Sequence, residues 1–453
     1  MRLKTILTMI LLTGQIVTNP PAVLAESTEG PQTMEERLAE LEQKVKILER
    51  QLEIEKENDL EKSKTATIVT ASSKEGFSIK SPSGDFSLKI RGYVQADSRS
   101  VSGKKSTTNT DNFLLRRVRP IFEGTVSKDI DFRIMPDFGE GKTVLQDAYL
   151  DFKYLPAAKL QVGKFKVPFG IERLQSGTDT LFVERGLPNN LVPNRDIGAA
   201  LHGDLLNGRL SYAAGFFNGT ADGGSLDSDI DNNLEFAGRI FVNPWKGSGN
   251  RLLDGLGAGF ATTMGDKNGT SIASYLPTFK TPGQVTFFSY RSDVIADGRH
   301  TRYSPQMYYS YGSFGLLSEY VFSSQKVKRE TSVQKITNNA WQIAASFVLT
   351  GEPASYKGVV PKEAFDPQKG KWGAFEVAGR IGQLNIDDNA FPTFADSARS
   401  AKSAKSWGVG LNWYWNKNVK LSMDYDQTKF SGGDSNRDRQ KERSVLARVQ
   451  VSF

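Results

Sequence analysis

Basic side chains two residues apart are the most chemically suggestive feature of this 453-residue sequence. In the run Arg116-Arg117-Val118-Arg119, an extended backbone would direct Arg117 and Arg119 to the same side. A guanidinium group carries a fixed positive charge and a fork of N–H donors that suits carboxylates, phosphates and other anions. The run therefore predicts an anion-binding surface, provided that this segment is a strand whose charged side faces an accessible space.

Residues suited to catalysis or metal binding are scarce. The chain has no cysteine and only two histidines, His202 and His300, so a histidine-dependent nucleophile or a metal centre is poorly supplied. The residues Gly141-Lys142-Thr143 match the last three positions of a phosphate-binding loop. However, Pro136 stands at the position where that motif requires its first glycine. We predict no catalytic residue, no metal site and no cofactor.

The composition excludes a bundle of membrane helices, because hydrophobic residues make up only 38% and the mean hydropathy is −0.41. One apolar run stands at the N-terminus, where Arg2 and Lys4 precede residues 6–12 and a small residue, Ala25, follows. This order predicts a cleaved signal peptide over residues 1–25. Its removal lowers the formal net charge from +7 to +5, a balance that by itself neither requires nor excludes nucleic acid. We predict no nucleic-acid partner.

The mature chain is predicted to begin with a leader (26–33) and a helical coiled-coil segment (34–58). Apolar residues recur there at alternating spacings of four and three: Met34, Leu38, Leu41, Val45, Leu48 and Leu52. Such a heptad seam needs a partner helix, and we favour association of identical chains. An amphipathic helix lying on the rest of its own chain is the alternative. Residues 59–85, rich in Lys, Ser, Thr and Gly, are predicted to be a flexible linker.

From residue 86 onward the hydrophobic period changes to two. Along 86–97, apolar residues alternate with Ser, Lys, Arg, Tyr, Gln and Asp, and the last ten residues show the same split. The clean apolar face, with aromatic residues near segment ends, is typical of lipid-facing strands. About sixteen strands are separated by short turns that mostly alternate with longer polar loops, except that 351–371 is long where a short turn is due. We predict an all-β fold: a closed antiparallel transmembrane β-barrel over residues 86–453, with a strand count that could differ by two.

A barrel of about sixteen strands encloses an aqueous channel, so its lining determines its function. Loop 166–195 is long and rich in apolar residues, which predicts that it folds into the barrel and narrows the channel. Acidic residues share the predicted inward face, so bracing of the wall by salt bridges is the alternative role for each arginine. The predicted pore-lining, anion-binding arginines are Arg91, Arg117, Arg119, Arg133, Arg173, Arg185, Arg195, Arg239, Arg302 and Arg380.

Several runs resemble the phosphate-selective porin O and P family. They are Asn112–Arg119, Gly163–Gly170, Glu184-Arg185, Asn194–Gly198, Trp372–Glu376 and the C-terminal Phe453. The resemblance covers the chain from about residue 86 and implies a trimer of sixteen-stranded outer-membrane barrels that bind phosphate or polyphosphate. It implies wall or constriction roles for Arg117, Arg119, Arg185 and Arg195. The family's constriction lysines have no counterpart between Val167 and Arg195, so the resemblance implies an anion preference more firmly than high phosphate selectivity.

We therefore predict a homotrimeric porin in the outer membrane of a Gram-negative bacterium, with its coiled coil in the periplasm. Its predicted partners are outer-membrane lipid and small inorganic anions, phosphate or polyphosphate among them, which diffuse passively through an arginine-lined pore. The alternatives are a porin with little phosphate selectivity and a structural envelope barrel in which the coiled coil matters more than the pore. An outer-membrane barrel enzyme is a further alternative, which substitution of His202 and His300 would test.

Overall fold

The computed structural model describes residues 33–72, 76–103, 111–229, 231–435 and 437–453. It divides into two units, with the boundary after Ala66. The predicted signal peptide, residues 1–25, and most of the predicted leader lie outside the described residues. Among the helices that are described, none is long and apolar enough to cross a membrane.

In the described part of the first unit there is one helix, α1 (Met34–Thr65). A capping box starts it, in which the Thr33 hydroxyl accepts from the Glu36 amide while the Glu36 carboxylate accepts from the Thr33 amide. The apolar seam predicted from the heptads is solvent-exposed along the helix, from Met34 (87%) to Leu52 (55%). The helix therefore carries an apolar stripe that is exposed among the described residues.

The prediction of a flexible linker over residues 59–85 was wrong. The helix continues past residue 58 to Thr65, and strands Ile68–Ser72 and Gly76–Lys80 then form a hairpin. The second of these strands also pairs with the first strand of the barrel, where Phe77 lies opposite Ile90 and Ile79 opposite Leu88. Helix-forming residues up to 65 and alternating apolar residues after it favour regular structure over a flexible linker.

The second unit is a barrel, and the predicted all-β fold with sixteen antiparallel strands is confirmed. Each strand pairs with the next in the chain, and the last pairs with the first, which closes the sheet. The strands are β1 (Ser87–Ser102), β2 (Asn112–Val126), β3 (Ile130–Asp137), β4 (Val144–Phe152), β5 (Lys159–Lys166), β6 (Arg195–Leu205), β7 (Leu210–Phe217), β8 (Glu235–Val242), β9 (Leu256–Asn268), β10 (Ile295–Tyr311), β11 (Phe314–Arg329), β12 (Ser332–Val348), β13 (Ala374–Asn385), β14 (Ala401–Tyr414), β15 (Val419–Asp434) and β16 (Glu442–Ser452).

The two ends of the barrel differ in their connections. One end, the turn side, carries both barrel termini and several tight turns, such as the one in which Ser127 and Lys128 adopt positive φ. The other end, the loop side, carries most of the longer connections. Phe453 and Gly92 exchange two backbone hydrogen bonds of 2.9 Å, which fixes the C-terminus to β1. Apolar side chains such as Ile240 and Phe260 are exposed on the outer wall, as a lipid-facing surface requires.

The three longest connections fold inward. The constriction loop (167–194) enters from the loop side and contains the short helix α2 (Ile171–Leu174). The inner hairpin (269–294) also enters from that side, with strands Thr278–Lys280 and Thr286–Ser289. The turn-side segment (349–373) is the long connection that interrupted the predicted alternation of turns. Buried apolar residues of the two loop-side connections, among them Phe169, Leu191, Phe279 and Phe288, form one core with the wall.

Candidate functional site

Three cavities lie in the lumen beside strands β1 to β8. The vestibule, between β2, the constriction loop and the inner hairpin, has a volume of about 530 Å³. The lower cavity, between β1, β3, β4 and β5, has about 300 Å³, and the side cavity, between β5 and β8, about 210 Å³. Lys166, at the end of β5, lines all three cavities, while Gly177 and Arg195 line both the vestibule and the lower cavity. These residues mark the passage between the cavities.

Four cations at this passage have no acidic partner. Lys166 donates to the carbonyls of Leu174 (3.1 Å) and Gln175 (2.7 Å). Arg185 donates to the carbonyls of Glu172 and Gln175, and Arg173 to that of Asn189. Arg117 donates to the side-chain oxygen of Gln95 at 2.6 Å. In the described part of the chain, none of the four has a carboxylate oxygen within 4 Å. No carboxylate in direct contact therefore neutralises these four side chains.

The pKa of Arg173 reflects its burial and, to a smaller extent, the neighbouring cations. Burial, Arg185 and Arg195 all disfavour its charged form and lower its pKa to about 9, with burial the largest cause. The guanidinium group remains charged at neutral pH, but in a region of high positive potential. An anion in the vestibule would relieve that potential.

Three predicted arginines line cavities but have carboxylate partners. Arg119 contacts Asp137 at 2.8 Å, and Arg195 contacts Asp147 at 2.7 Å. Arg133 contacts the same Asp147 at 3.3 Å and also Glu123 at 3.1 Å. The positive charge of these arginines is partly neutralised, and Asp147 is shared by two of them.

Arg239 and Arg91 differ in position. Arg239 lines the side cavity and donates to Gln306, a neutral partner, at 3.0 Å. Arg91 lies near the turn side and is paired with Glu123 at 2.6 Å. Its side chain is not among those that line the three cavities.

The remaining two predicted arginines, Arg302 and Arg380, are not among the lining residues of these cavities either. Arg302 is fully buried and contacts Asp222 at 2.6 Å and Glu235 at 2.8 Å. Arg380 contacts Asp426 at 3.1 Å and lies 4.1 Å from the ring centroid of Phe182. The contacts of these two arginines therefore indicate a structural role rather than a role in lining the cavities.

The sequence prediction missed Arg116, which strict alternation places on the lipid side. The pairing of β1 with β2 shifts by one residue here: Gln95 lies opposite Arg117, but Ala96 lies opposite Leu115. This β-bulge brings Arg116 and Arg117, adjacent in sequence, to the same inner face, where both line the vestibule. No signal in a single sequence marks the bulge.

The inner hairpin was also missed as part of the lining. Residues 276–278 and 280–281 border the vestibule. The signal that was available is the cluster of aromatic residues Phe279, Phe287 and Phe288 in a segment between strands. All three are buried, and Phe287 and Phe288 pack near Phe430 and Phe391 of other loop-side segments.

Opposite the cavities, wall side chains hold the backbone of the constriction loop. Glu319 accepts from the Ile171 amide at 3.1 Å, and Asp424 accepts from the Val183 amide at 2.5 Å. Donors from the same side bind the loop's carbonyls: Lys420 to Thr180, Asn412 to Leu181, Arg380 to Glu184 and Gln450 to Thr178. The loop is thus fixed to strands β11 to β16, and the open part of the lumen lies on the other side.

The turn-side segment supports the constriction loop from below. The Tyr356 hydroxyl donates to the Ile171 carbonyl at 2.5 Å, and Gln175 donates to the Tyr356 carbonyl at 2.9 Å. The Tyr356 ring also packs edge-on against Tyr308 of β10, with 5.3 Å between the ring centroids. The turn-side segment and the constriction loop, which enter from opposite ends of the barrel, therefore meet in the lumen beneath α2.

A second buried network anchors the loop between β7 and β8. Asp222 contacts Arg302, His300 at 3.3 Å, and the Ser323 hydroxyl at 2.7 Å. Burial would raise the pKa of Asp222, but Arg302 and His300 lower it to about 2. The Ser, His and Asp side chains here are buried and engaged in anchoring the loop. Within the described residues, no group of three or more His, Asp or Glu side chains is arranged to hold a metal ion.

Comparison with known proteins agrees with this architecture. The model of the family described as phosphate-selective porin O and P matches residues 88–453. Porin O of Pseudomonas aeruginosa is 24% identical over 416 residues, which cover 85% of this chain and 92% of that protein. The outer membrane channel DcaP of Acinetobacter baumannii has a TM-score of 0.52 at 11% identity, over 83% of this chain and 99% of that chain. The anion-selective porin from Comamonas acidovorans has a TM-score of 0.50 at 11% identity, and the match covers 81% of this chain and 100% of that chain. Because the family model spans the whole barrel, this chain belongs to the phosphate-selective porin O and P family.

Proposed function

We propose that this porin is a passive channel for small inorganic anions across the bacterial outer membrane. The observation that carries the proposal is the group of four cations without carboxylate partners, Lys166, Arg173, Arg185 and Arg117, around the passage between the cavities. Rings of arginine and lysine favour anions because they raise the local concentration of anions and repel cations. The proposed set of pore-lining arginines is accordingly smaller than the ten predicted from sequence.

Lys166 is the proposed centre of the passage. Two of its three N–H donors are used by loop carbonyls, which hold the ammonium group in place beside all three cavities. The remaining donor is available to a passing anion. Because the contact is a single hydrogen bond with a point charge, an anion can enter and leave readily, as conduction requires.

We propose that phosphate is one of several anions that pass. The family description supports an anionic solute. The constriction loop itself contains no lysine, and Lys166 at its base supplies one ammonium group. One lysine with several arginines supports anion preference, whereas strong selection of phosphate would call for more donors converging at one point.

Single-channel recording in a planar bilayer tests the proposal. The reversal potential in a potassium chloride gradient should show preference for chloride, and inorganic phosphate should reduce the chloride current only at millimolar concentrations. Cation preference, or the absence of channels from folded protein, would refute an anion channel. Block by micromolar phosphate would instead make this a phosphate-selective pore.

A pair of lysine variants makes the test specific to the passage. Lys166→Gln should lower the chloride-to-potassium permeability ratio about threefold, because it removes the basic side chain that lines all three cavities. Lys417→Gln removes the same charge from an exposed position in the turn between β14 and β15, and should leave the ratio unchanged. Equal ratios in the two variants would show that Lys166 does not set selectivity.

We propose further that the protein assembles as a homotrimer with α1 in the periplasm. The exposed apolar seam of α1 supports association with identical helices, since such a stripe requires a partner. Deletion of residues 34–54 should preserve the conductance of each barrel while weakening the oligomer on analytical ultracentrifugation. A change in envelope integrity without loss of conductance would favour the alternative role as a structural tether.

We also propose that the protein is not an enzyme. This is supported by the surroundings of its two histidines. His202 contacts Asp151 at 3.0 Å, and His300 is buried in the loop-anchoring network. Neither is placed beside an exposed nucleophile of the kind that hydrolases use.

A further inference from the structure

An acidic residue of the constriction loop occupies the space where an anion would be expected. The Glu184 carboxylate is buried between three wall arginines, Arg99, Arg116 and Arg448, called here the arginine triad. Its Oε1 atom lies 3.0 Å from Arg99, 2.6 Å from Arg116 and 3.7 Å from Arg448. Arg116 also donates to Oε2 at 3.3 Å, so it grips the carboxylate through two of its nitrogens.

This arrangement has the geometry of an oxyanion site. Guanidinium groups that converge from several strands, one of them through two nitrogens, are the means by which proteins bind carboxylate and phosphate. The triad comes from β1, β2 and β16, and the β-bulge that turns Arg116 inward completes it. Burial would raise the pKa of Glu184, but Arg116, Arg117 and Arg448 hold it well below the usual range of a glutamate, so the carboxylate is charged.

Arg448 and the backbone at residue 184 are each held by partners other than the Glu184 carboxylate. Arg448 is held by Asp97 through two hydrogen bonds of 2.7 Å. The backbone around Glu184 is anchored separately, because Arg380 donates to its carbonyl and Asp424 accepts from the Val183 amide. Loss of the carboxylate alone would therefore leave converging donors beside the vestibule, which Arg116 and Glu184 both line.

We propose that Glu184 is a built-in substitute for an anion, which fills an oxyanion-binding site formed by Arg99, Arg116 and Arg448 and so keeps the vestibule a low-affinity entrance. An oxyanion such as phosphate, sulfate or a small carboxylate has to compete with a tethered carboxylate for these donors. The tether makes that competitor always present. Passing anions are thereby attracted without being retained, which favours throughput over capture. The inference rests on the proposed function, because it explains how an anion channel avoids trapping its solute.

Direct binding of inorganic phosphate to the purified, full-length protein in detergent, measured by isothermal titration calorimetry, tests the inference. Glu184→Ala removes both the charge and the occupant, and should bind phosphate at least tenfold more tightly than the wild type. In planar bilayers, the phosphate concentration that halves the chloride current should fall by the same factor.

Glu140 provides the matched control. Its carboxylate lies 3.4 Å from Arg116 and 3.9 Å from Arg99 but is substantially exposed and does not fill the triad. Glu140→Ala should change phosphate affinity less than threefold. Equal gains in the two variants would show a general effect of charge and overturn the proposal, as would an unchanged affinity in folded Glu184→Ala.

Glu184→Gln covers the case in which the alanine variant does not fold. It keeps the size of the side chain and removes its charge, so phosphate affinity should rise at least threefold. No rise in this variant overturns the proposal. Calorimetry also separates this inference from the proposed function: cation preference of the wild-type channel would refute the anion channel, while tight phosphate binding by the variant would still establish the site.

Discussion

Cations on the two sides of the lumen have the same chemistry but different surroundings. On the packed side, Arg302 and Arg380 each lie within 4 Å of two carboxylates and are buried. On the open side, Lys166 and Arg117 contact only neutral oxygens at the border of the cavities. The first group takes part in fixing the loops, and the second lines the cavities without a carboxylate in contact.

The comparison teaches that an inward direction does not by itself make an arginine part of an anion path. A buried guanidinium that is bound by two carboxylates contributes little electrostatic potential to the channel. Its removal leaves the partner carboxylates buried without a positive charge beside them. A cation held by carbonyl or amide oxygens has no opposite charge in contact with it. The structural arginines differ from the proposed functional ones in the groups that they contact. They do not differ in their place in the inward–outward alternation of the strand.

The strongest test of this contrast is a stability measurement on one arginine from each side. Arg380→Met should lower the free energy of unfolding by about 3–5 kcal/mol, because Asp426 is left buried without its partner and the loop loses an anchor. Arg239→Met should cost less than about 1.5 kcal/mol, since its polar partner is the neutral Gln306. Denaturant unfolding followed by gel mobility in detergent measures both, and similar losses would contradict the contrast.

Acid should weaken the packed side with a defined pH dependence. The pKa of Asp222 is lowered to about 2 from an ordinary value of 3.8, so the unfolded chain binds more protons between these values. Its contribution, about 2 kcal/mol, is fully present above about pH 4 and is lost as the pH falls through 2. The stability difference between wild type and Asp222→Asn, followed from pH 7 to pH 2, should be constant and then shrink. A difference that already declines between pH 7 and pH 5 would rule out this assignment.

The smallest expected effect concerns selectivity on the open side. Arg117→Gln should lower the chloride-to-potassium permeability ratio about twofold, because it removes an uncompensated charge from the vestibule. The double substitution Arg119→Gln/Asp137→Asn removes an ion pair with no change in net charge, and should leave the ratio within experimental error. Reversal potentials in a salt gradient compare the two proteins. A larger shift in the double variant would mean that paired arginines also set selectivity.

Much of the architecture could be predicted because it depends on local patterns. Strand alternation from residue 86 gave both the strand type and the lipid-facing side, and the need to satisfy every backbone group in a membrane required closure. The apolar residues of the constriction loop likewise indicated that it folds inward, and Phe169, Leu187 and Leu191 are buried there. The heptads predicted the helix, although its end and the following hairpin were not foreseen.

The lining of the channel was decided by tertiary structure. Arg448 meets Asp97 across 351 positions, and Arg116 meets Glu184 across 68, so alternation within one strand carries no information about these partners. A single β-bulge moves Arg116 from the predicted lipid side to the lumen. The sequence by itself determined that a barrel forms and which residues tend to face inward. Only the folded chain, through contacts between distant segments, decided which of those charges are neutralised and which remain available to an anion.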